Sequence, residues 1–318
     1  MKRYIPILIS ILPYLNATDY FVAVSYGDDT NNGTSLLTPF KTIGKAASVM
    51  SSGDKCYIRQ GRYHEAITIN NLDGQSGSAV VFTSYNSERV VLDGTTAITS
   101  TWTQMPGSNI WRTKLTSDIW QLFLNWEEQV MARWPNAKFS DGTIWDNENN
   151  WAIGTIDDDE TAYSNGTIID DPFTNSSGVN IDLNATGFDL DESGKAAIAI
   201  LNLGSFRTWS RTVISHSGNT FTYSVVPNWK TKHHYYYLEG RYEFLDQVGE
   251  WWYDISNDSL YYYVGNNIDP NKLEFRGKVQ SYAFYITGSE YIQIKDLEFF
   301  GTTVYFQGSD NCLVYGLS

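Results

Sequence analysis

The chain has 318 residues, 36 Asp and Glu against 22 Lys and Arg, and a formal net charge of −14. So acidic a protein repels phosphate backbones, which excludes nucleic acid as a default partner. Aromatic residues at 15% and charged residues at 18% exclude disorder, and the length allows one large domain or two ordinary ones with a sizeable core.

Residues 1–17 read as a secretory signal peptide. Lys2 and Arg3 precede an apolar run from Tyr4 to Leu15, and Asn16-Ala17 offers a small-residue cleavage boundary. The run is too short to cross ~30 Å of hydrocarbon and is broken by Pro6 and Pro13. The expected location is therefore extracellular, with no membrane partner. Removing the two basic residues deepens the charge from −14 to −16, so an acidic polysaccharide would need a local basic patch.

Between Pro39 and Met50 the spacing of Ile43, Ala47 and Met50 predicts a short amphipathic helix, placed to cap the end of a stack of strands. Short alternating runs follow. Cys56-Tyr-Ile58-Arg aligns with Val80-Val-Phe82-Thr at a shift of 24, and Ile67-Thr-Ile69 with Val90-Val-Leu92 at a shift of 23. Cys56 and Cys312, the only two cysteines, exclude a disulfide-dense scaffold and read as unpaired small hydrophobes.

Over residues 102–276 that period disappears, Trp becomes dense, and alternating stretches joined by Ser, Gly and Asn turns predict an antiparallel β insertion. Arg133, Trp134 and Asn136 place a fixed cation, a large π-face and an amide within four residues, a combination suited to sugar rings and hydroxyls bordering a polysaccharide cleft. A structural reading has Trp134 packing and Arg133 paired with an acid. Glu239 and Glu250 are the candidate catalytic carboxylates, because glycosidic cleavage needs two carboxyls flanking one bond; as structural residues they would cap turns or accept bonds from Trp and Tyr. His216, His233 and His234 lack a metal-ligand spacing. Residues 189–194 imitate the start of a calcium loop, but position twelve is Ile200 rather than a bidentate Glu, so no cofactor is assigned and calcium stays an open possibility. The acidic pairs at 157–160 and 170–171 read as solvated loops.

Near the end, the segment from Ile286 repeats at Phe306 with a constant shift of 20: Gly288 falls on Gly308, Ser289 on Ser309, Glu290 on Asp310, Ile292 on Cys312, Ile294 on Val314 and Leu297 on Leu317. Short strands at a period of 20 to 24 predict a solenoid in which each strand pairs with its equivalent in the next coil. The expected fold is thus all-β: a parallel β-helix with an N-terminal capping helix and a large antiparallel β insertion. The expected division is 1–17 signal peptide, 18–101 cap and first coils, 102–276 insertion and 277–318 resumed coils, with the C-terminal coils expected to be truncated because the repeat ends without a cap.

The stretches Tyr20-Phe-Val-Ala-Val-Ser-Tyr-Gly-Asp-Asp, Thr38-Pro-Phe-Lys-Thr-Ile43, Tyr57-Ile-Arg-Gln-Gly-Arg-Tyr63 and Val91-Leu-Asp-Gly94 resemble the opening of right-handed parallel β-helix proteins of the pectate-lyase-like superfamily. The blocks around Met131-Ala-Arg-Trp-Pro-Asn136 and Tyr236–Asp254 resemble β-helix glycoside hydrolases of the fucosidase and xylanase type. This resemblance implies a secreted polysaccharide-degrading enzyme, a glycoside hydrolase first, with a polysaccharide lyase acting on uronate glycans or a noncatalytic β-helix adhesin as alternatives.

Overall fold

A computed structural model describes residues 17–154, 166–188, 197–204, 207–225 and 235–317. All of the expected leader except Ala17, the acidic run 157–160, the calcium-like residues 189–194, and His233 and His234 lie outside the described residues. The described chain is all-β with few helical residues, and no described helix is long and apolar enough to cross a membrane. It divides into two compact units, residues 1–95 with 280–318, and residues 96–279.

In the first unit the chain visits three parallel sheets in rotation. Lys55–Ile58, Gly61–Tyr63 and Ile67–Asn70 enter the first, second and third sheet; Val80–Ser84 and Val90–Asp93 re-enter the first and second. After the second unit, Tyr282–Thr287 takes the third sheet, and Ile292–Lys295, Glu298–Phe300, Thr303–Gln307 and Leu313–Tyr315 continue the same order. Asp19–Val22 heads the first sheet. Every pairing between these strands is parallel. Alternate side chains, among them Cys56, Ile58, Phe82, Phe284 and Ile294, meet in one buried cluster, as the two-residue period of a strand requires.

The shift of 20 holds. Ile294 pairs with Val314, Glu290 bridges Asp310, and the turns repeat their left-handed positions at Gly288 and Gly308 and at Tyr291 and Asn311. An earlier copy of this turn exists at Asn71 (φ 53°), with Asp73 bridging Glu290 and the Leu72 amide donating to Ser289 Oγ at 3.2 Å. The early alignment differs by one pleat. Cys56 pairs with Phe82 at a shift of 26, not 24, which keeps the same residues inward because a two-residue slip preserves the face. Ile67 and Ile69 do not pair with Val90 and Leu92; they lie in the third sheet against Phe284 and Ile286, while Val90–Asp93 pairs with Gly61–Tyr63.

The expected helix spans only Ile43–Ala47, with Thr42 as N-cap and Ile43 and Ala46 buried. The Glu65 carboxylate accepts from the Ile43 and Gly44 amides at 3.1 and 3.0 Å, satisfying two donors that a helix start leaves open. Cys56 and Cys312 are both free, Cys56 buried and Cys312 only partly so. Three strand spacings separate their positions in the first sheet, about 14 Å, beyond disulfide reach.

The second unit holds two larger sheets. One runs in the order 95–97, 275–278, 122–124, 127–131, 250–254, 259–263, 110–114, 103–104; the other contains 133–134, 235–239, 198–204, 207–217, 220–223 and 167–169. Among the described strands pairing is mainly antiparallel as expected, but Val130 and Met131 run parallel to Glu250 and Trp251. Asp170, expected in a solvated loop, is buried, accepting from the Leu183 amide at 2.8 Å and from Tyr236 Oη.

Phe82 is fully buried, with its ring centroid 5.4 Å from that of Phe284. Phe82→Ala should therefore cost about 3–5 kcal/mol in chemical denaturation. A loss under about 1 kcal/mol would contradict this packing. Thiol titration of the denatured protein should find both cysteines free.

Candidate functional site

The site grows from one strand that changes sheets. Asn125 and Trp126, both at positive φ, make the two-residue turn that sends the chain from Leu122–Leu124 into Glu127–Met131. The next residue, Ala132, donates its amide to Trp251 O at 2.7 Å, and its carbonyl accepts from the Gly240 amide at 3.1 Å. Its backbone thus joins the strand that carries Glu250 to the turn that follows Glu239. Arg133 then stands opposite Glu239 in an antiparallel pair. The parallel register with Glu250 and the antiparallel register with Glu239 bring all three charged side chains to one place.

Arg133 is 1% exposed. Its Nε donates to Pro135 O at 2.9 Å, and its guanidinium carbon lies 3.6 Å from the centroid of the Tyr237 ring. Among the described residues Nη1 and Nη2 have no hydrogen-bond partner. Burial lowers the Arg133 pKa to about 10, opposed by Tyr237, Glu239 and Glu250, so the group stays charged at neutral pH. Burial also raises the Glu239 carboxyl, opposed by Arg133.

Glu250 is equally buried. Its Oε2 accepts from the Asp246 and Gln247 amides at 3.1 and 3.0 Å, the turn-capping role expected of a structural acid, and the Arg133 backbone amide also favours the ionised form; among the described residues Oε1 makes no hydrogen bond of good geometry. Burial pushes its pKa up to about 8; Asp246 adds to the rise, and the donated amides oppose it. At neutral pH Glu250 is therefore mostly a neutral acid able to give up a proton.

Trp134 is partly buried, tilted against Tyr236 at 6.2 Å and packed on the core of its own unit. Asn136 is exposed and donates from Nδ2 to Asp246 Oδ1 at 2.8 Å. The structure thus splits the triplet: Arg133 faces inward, Trp134 packs, and Asn136 reaches the carboxylate next to Glu250. His216 is half-buried, and its Nε2 lies 2.9 Å from Gly218 O. Among the described residues no three His, Cys, Asp or Glu side chains gather closely enough to hold a metal ion.

Glu250 lines a cleft of about 650 Å3 in the second unit, together with Glu127, Glu128, Lys138, Phe139 and Tyr262. Sequence reasoning singled out neither Asp246 nor the Glu127-Glu128 pair. The clue to Asp246 was its position at the start of the Asp246-Gln247-Val248-Gly249 turn, whose amides must find an acceptor. The pair at 127–128 follows the Asn125-Trp126 turn directly.

No protein-family model matches the chain. A curated protein of Bacillus subtilis (strain 168), described as "Uncharacterized protein YwoF", is 34% identical over 76 residues, 24% of this chain and 16% of that protein. A solved structure described as "Glycoside hydrolase" superposes with a TM-score of 0.63 at 18% identity, covering 90% of this chain and 51% of that one. Another, "The complex structure of XylC with xylose", gives a TM-score of 0.43 at 17% identity, covering 90% and 36%. The chain spans about half the length of the first of these structures and a smaller share of the curated relative. The likeness at TM-score 0.63 establishes a shared fold.

A carboxyl raised from 4.5 to about 8 holds its proton more tightly folded than unfolded. The stability it contributes is complete below the unfolded pKa and is lost as pH rises through about 8. Urea denaturation at about pH 5 and about pH 8 should show Glu250→Gln losing less stability across that interval than the parent. Equal losses in the two proteins would mean that Glu250 titrates normally.

Proposed function

We propose that the chain belongs to a secreted carbohydrate-active enzyme, a glycoside hydrolase acting on a polysaccharide, with Glu250 as its proton donor. One observation carries the reading: a buried carboxyl, its pKa pushed up to about 8 by burial, in the wall of a cleft large enough for sugar residues. Such a group can protonate the leaving oxygen of a glycosidic bond, and a second carboxylate must serve as nucleophile or as base for water. Asp246 is our choice for that second role. It is exposed, its backbone amide holds Glu250 Oε2, and Asn136 orients its side chain. Glu239 is assigned to charge balance instead, opposite the buried Arg133.

In this reading the first unit is a right-handed parallel β-helix of the pectate-lyase-like kind. The rotation of the chain through three parallel sheets supports the winding, and the strong preference for right-handed crossovers supports the hand. The described Ile43–Ala47 helix is the cap, beside the edge strands Asp19–Val22 and Ile67–Asn70. The likeness to a structure described as a glycoside hydrolase is compatible with this assignment. The lyase reading is weaker, because a uronate would have to approach the Glu127 and Glu128 carboxylates. The adhesin reading gives the protonated Glu250 no role.

Glu250→Gln should lower reducing-sugar release from a susceptible polysaccharide by about 10²–10⁴-fold, the usual contribution of a general acid. In the parent, activity should fall as pH rises through about 8, because the acid form is lost. Undiminished activity in the Gln variant would remove Glu250 from the mechanism. Export is tested by N-terminal sequencing of secreted protein, which should begin at Thr18.

A further inference from the structure

Trp145 contributes almost nothing to folding. It is 75% exposed and belongs to none of the hydrophobic clusters of its unit. A large aromatic surface left in water is a store of binding energy, since burying an indole is among the most favourable apolar transfers. The segment that presents it is firmly built. Lys138 N donates to Thr143 Oγ1 at 2.8 Å, Thr143 Oγ1 donates to Asp141 Oδ1 at 2.6 Å, and the Trp145 amide donates to Gly142 O at 3.1 Å. On the far side Asp146 caps the helix Asn147–Asn150, and Trp151 Nε1 donates to Ile144 O at 3.3 Å. A backbone fixed this way lowers the ordering cost when the ring it carries takes a ligand.

The position of Trp145 gives the exposure a purpose. Its ring lies 5.9 Å from that of Phe139, at an interplanar angle of 57°, and Phe139 is a wall of the Glu250 cleft. The apolar surface of the cleft therefore continues outward onto the indole. The charges beside it are Glu127 and Glu128 against Lys138, in a chain of net charge −14. A polyanionic glycan is repelled there, while the C–H face of an uncharged pyranose meets no such barrier.

We propose that Trp145 and Phe139 form a stacking subsite at the rim of the Glu250 cleft for a neutral sugar ring of the polysaccharide. This rests on the carbohydrate-enzyme reading above and specifies its substrate class as an uncharged glycan.

The full chain should be titrated with neutral oligosaccharides (xylo-, cello- and manno-hexaose) and with hexagalacturonate, following binding by calorimetry in the parent, Trp145→Ala, Trp145→Phe and Glu250→Gln. A neutral hexaose should bind in preference to the uronate oligomer. Trp145→Ala should weaken it about tenfold, within the range of one ring stacked on an aromatic plane, and Trp145→Phe should recover part of the loss. Melting temperature should not change in either variant, because the indole is exposed. The activity of Glu250→Gln is read separately, so a fault in the assignment of the acid appears as retained activity in that variant and leaves the binding result for Trp145→Ala intact. Unchanged affinity in Trp145→Ala, tighter binding of hexagalacturonate, or no binding of any neutral hexaose would overturn the subsite. So would sedimentation showing that Trp145 is covered by a second copy of the chain.

Discussion

The close approach at Gly94 is the constraint on which the rest of the first unit depends. There the chain leaves the stack of parallel strands, and at Gln280 it returns, with the Gln280 amide donating to Gly94 O at 3.1 Å. A Cβ on Gly94 would lie 2.5 Å from Gly301 O and 2.9 Å from Gln280 O, so only glycine fits between exit, return and the coil that follows. Because the two ends of the long intervening segment are pinned together, the strands on either side stack as if nothing separated them. Val80–Ser84 pairs directly with Ile292–Lys295, and Val90–Asp93 with Glu298–Phe300. Closing so long a loop has a large but slowly growing entropic cost, and the buried apolar faces of consecutive coils offset it.

Ala132 plays the comparable part in the second unit. A strand that pairs first with one sheet and then with another needs a crossing point, and the fully buried Ala132 supplies it through its amide bond to Trp251 O and its carbonyl bond from the Gly240 amide. The consequence is chemical as well as architectural. Two registers fixed by backbone hydrogen bonds hold Arg133, Glu239 and Glu250 together below the surface, where charge is expensive. A structure selected for stability alone would fill that volume with apolar side chains. Among the described residues the Nη donors of Arg133 and Oε1 of Glu250 make no hydrogen bond of good geometry, and groups so left in a fold call for an explanation other than stability.

What the sequence disclosed follows from how locally each feature is encoded. The shift of 20 was visible because Gly288, Ser289 and Ile294 and their counterparts sit in uninterrupted adjacent coils. The register of the early coils was not, because the partner of Ile67–Asn70 lies beyond the intervening unit, and the nearest alternating run, Val90–Leu92, belongs to another sheet. At the site, residue types were legible and their directions were not. Arg133, Trp134 and Asn136 are near neighbours in sequence, yet a strand sends alternate side chains to opposite faces, and only the exposed Asn136 reaches a carboxylate outside its own segment. Glu250 was a candidate with its geometry unknown. Asp246 and the cleft could not be read, since they depend on a parallel strand pair in a unit whose described pairings are mainly antiparallel.

Several carboxyls in both units also share a direction. Glu65, Asp170, Glu239, Asp246 and Glu250 all have raised pKa values, with burial the leading cause in each case. Each adds stability at low pH that is lost as pH rises through its folded value. The carboxyls shifted the other way, such as Glu88 beside Arg59 and Glu298 beside Arg89, lie near the surface, where solvent screens their contribution. Self-repulsion of a chain at −14 weakens in the same direction, because acidification removes negative charge. Mild acid therefore favours the fold and the protonated form of Glu250 together, so the conditions that suit the proposed proton donor are those in which its buried surroundings cost the protein least.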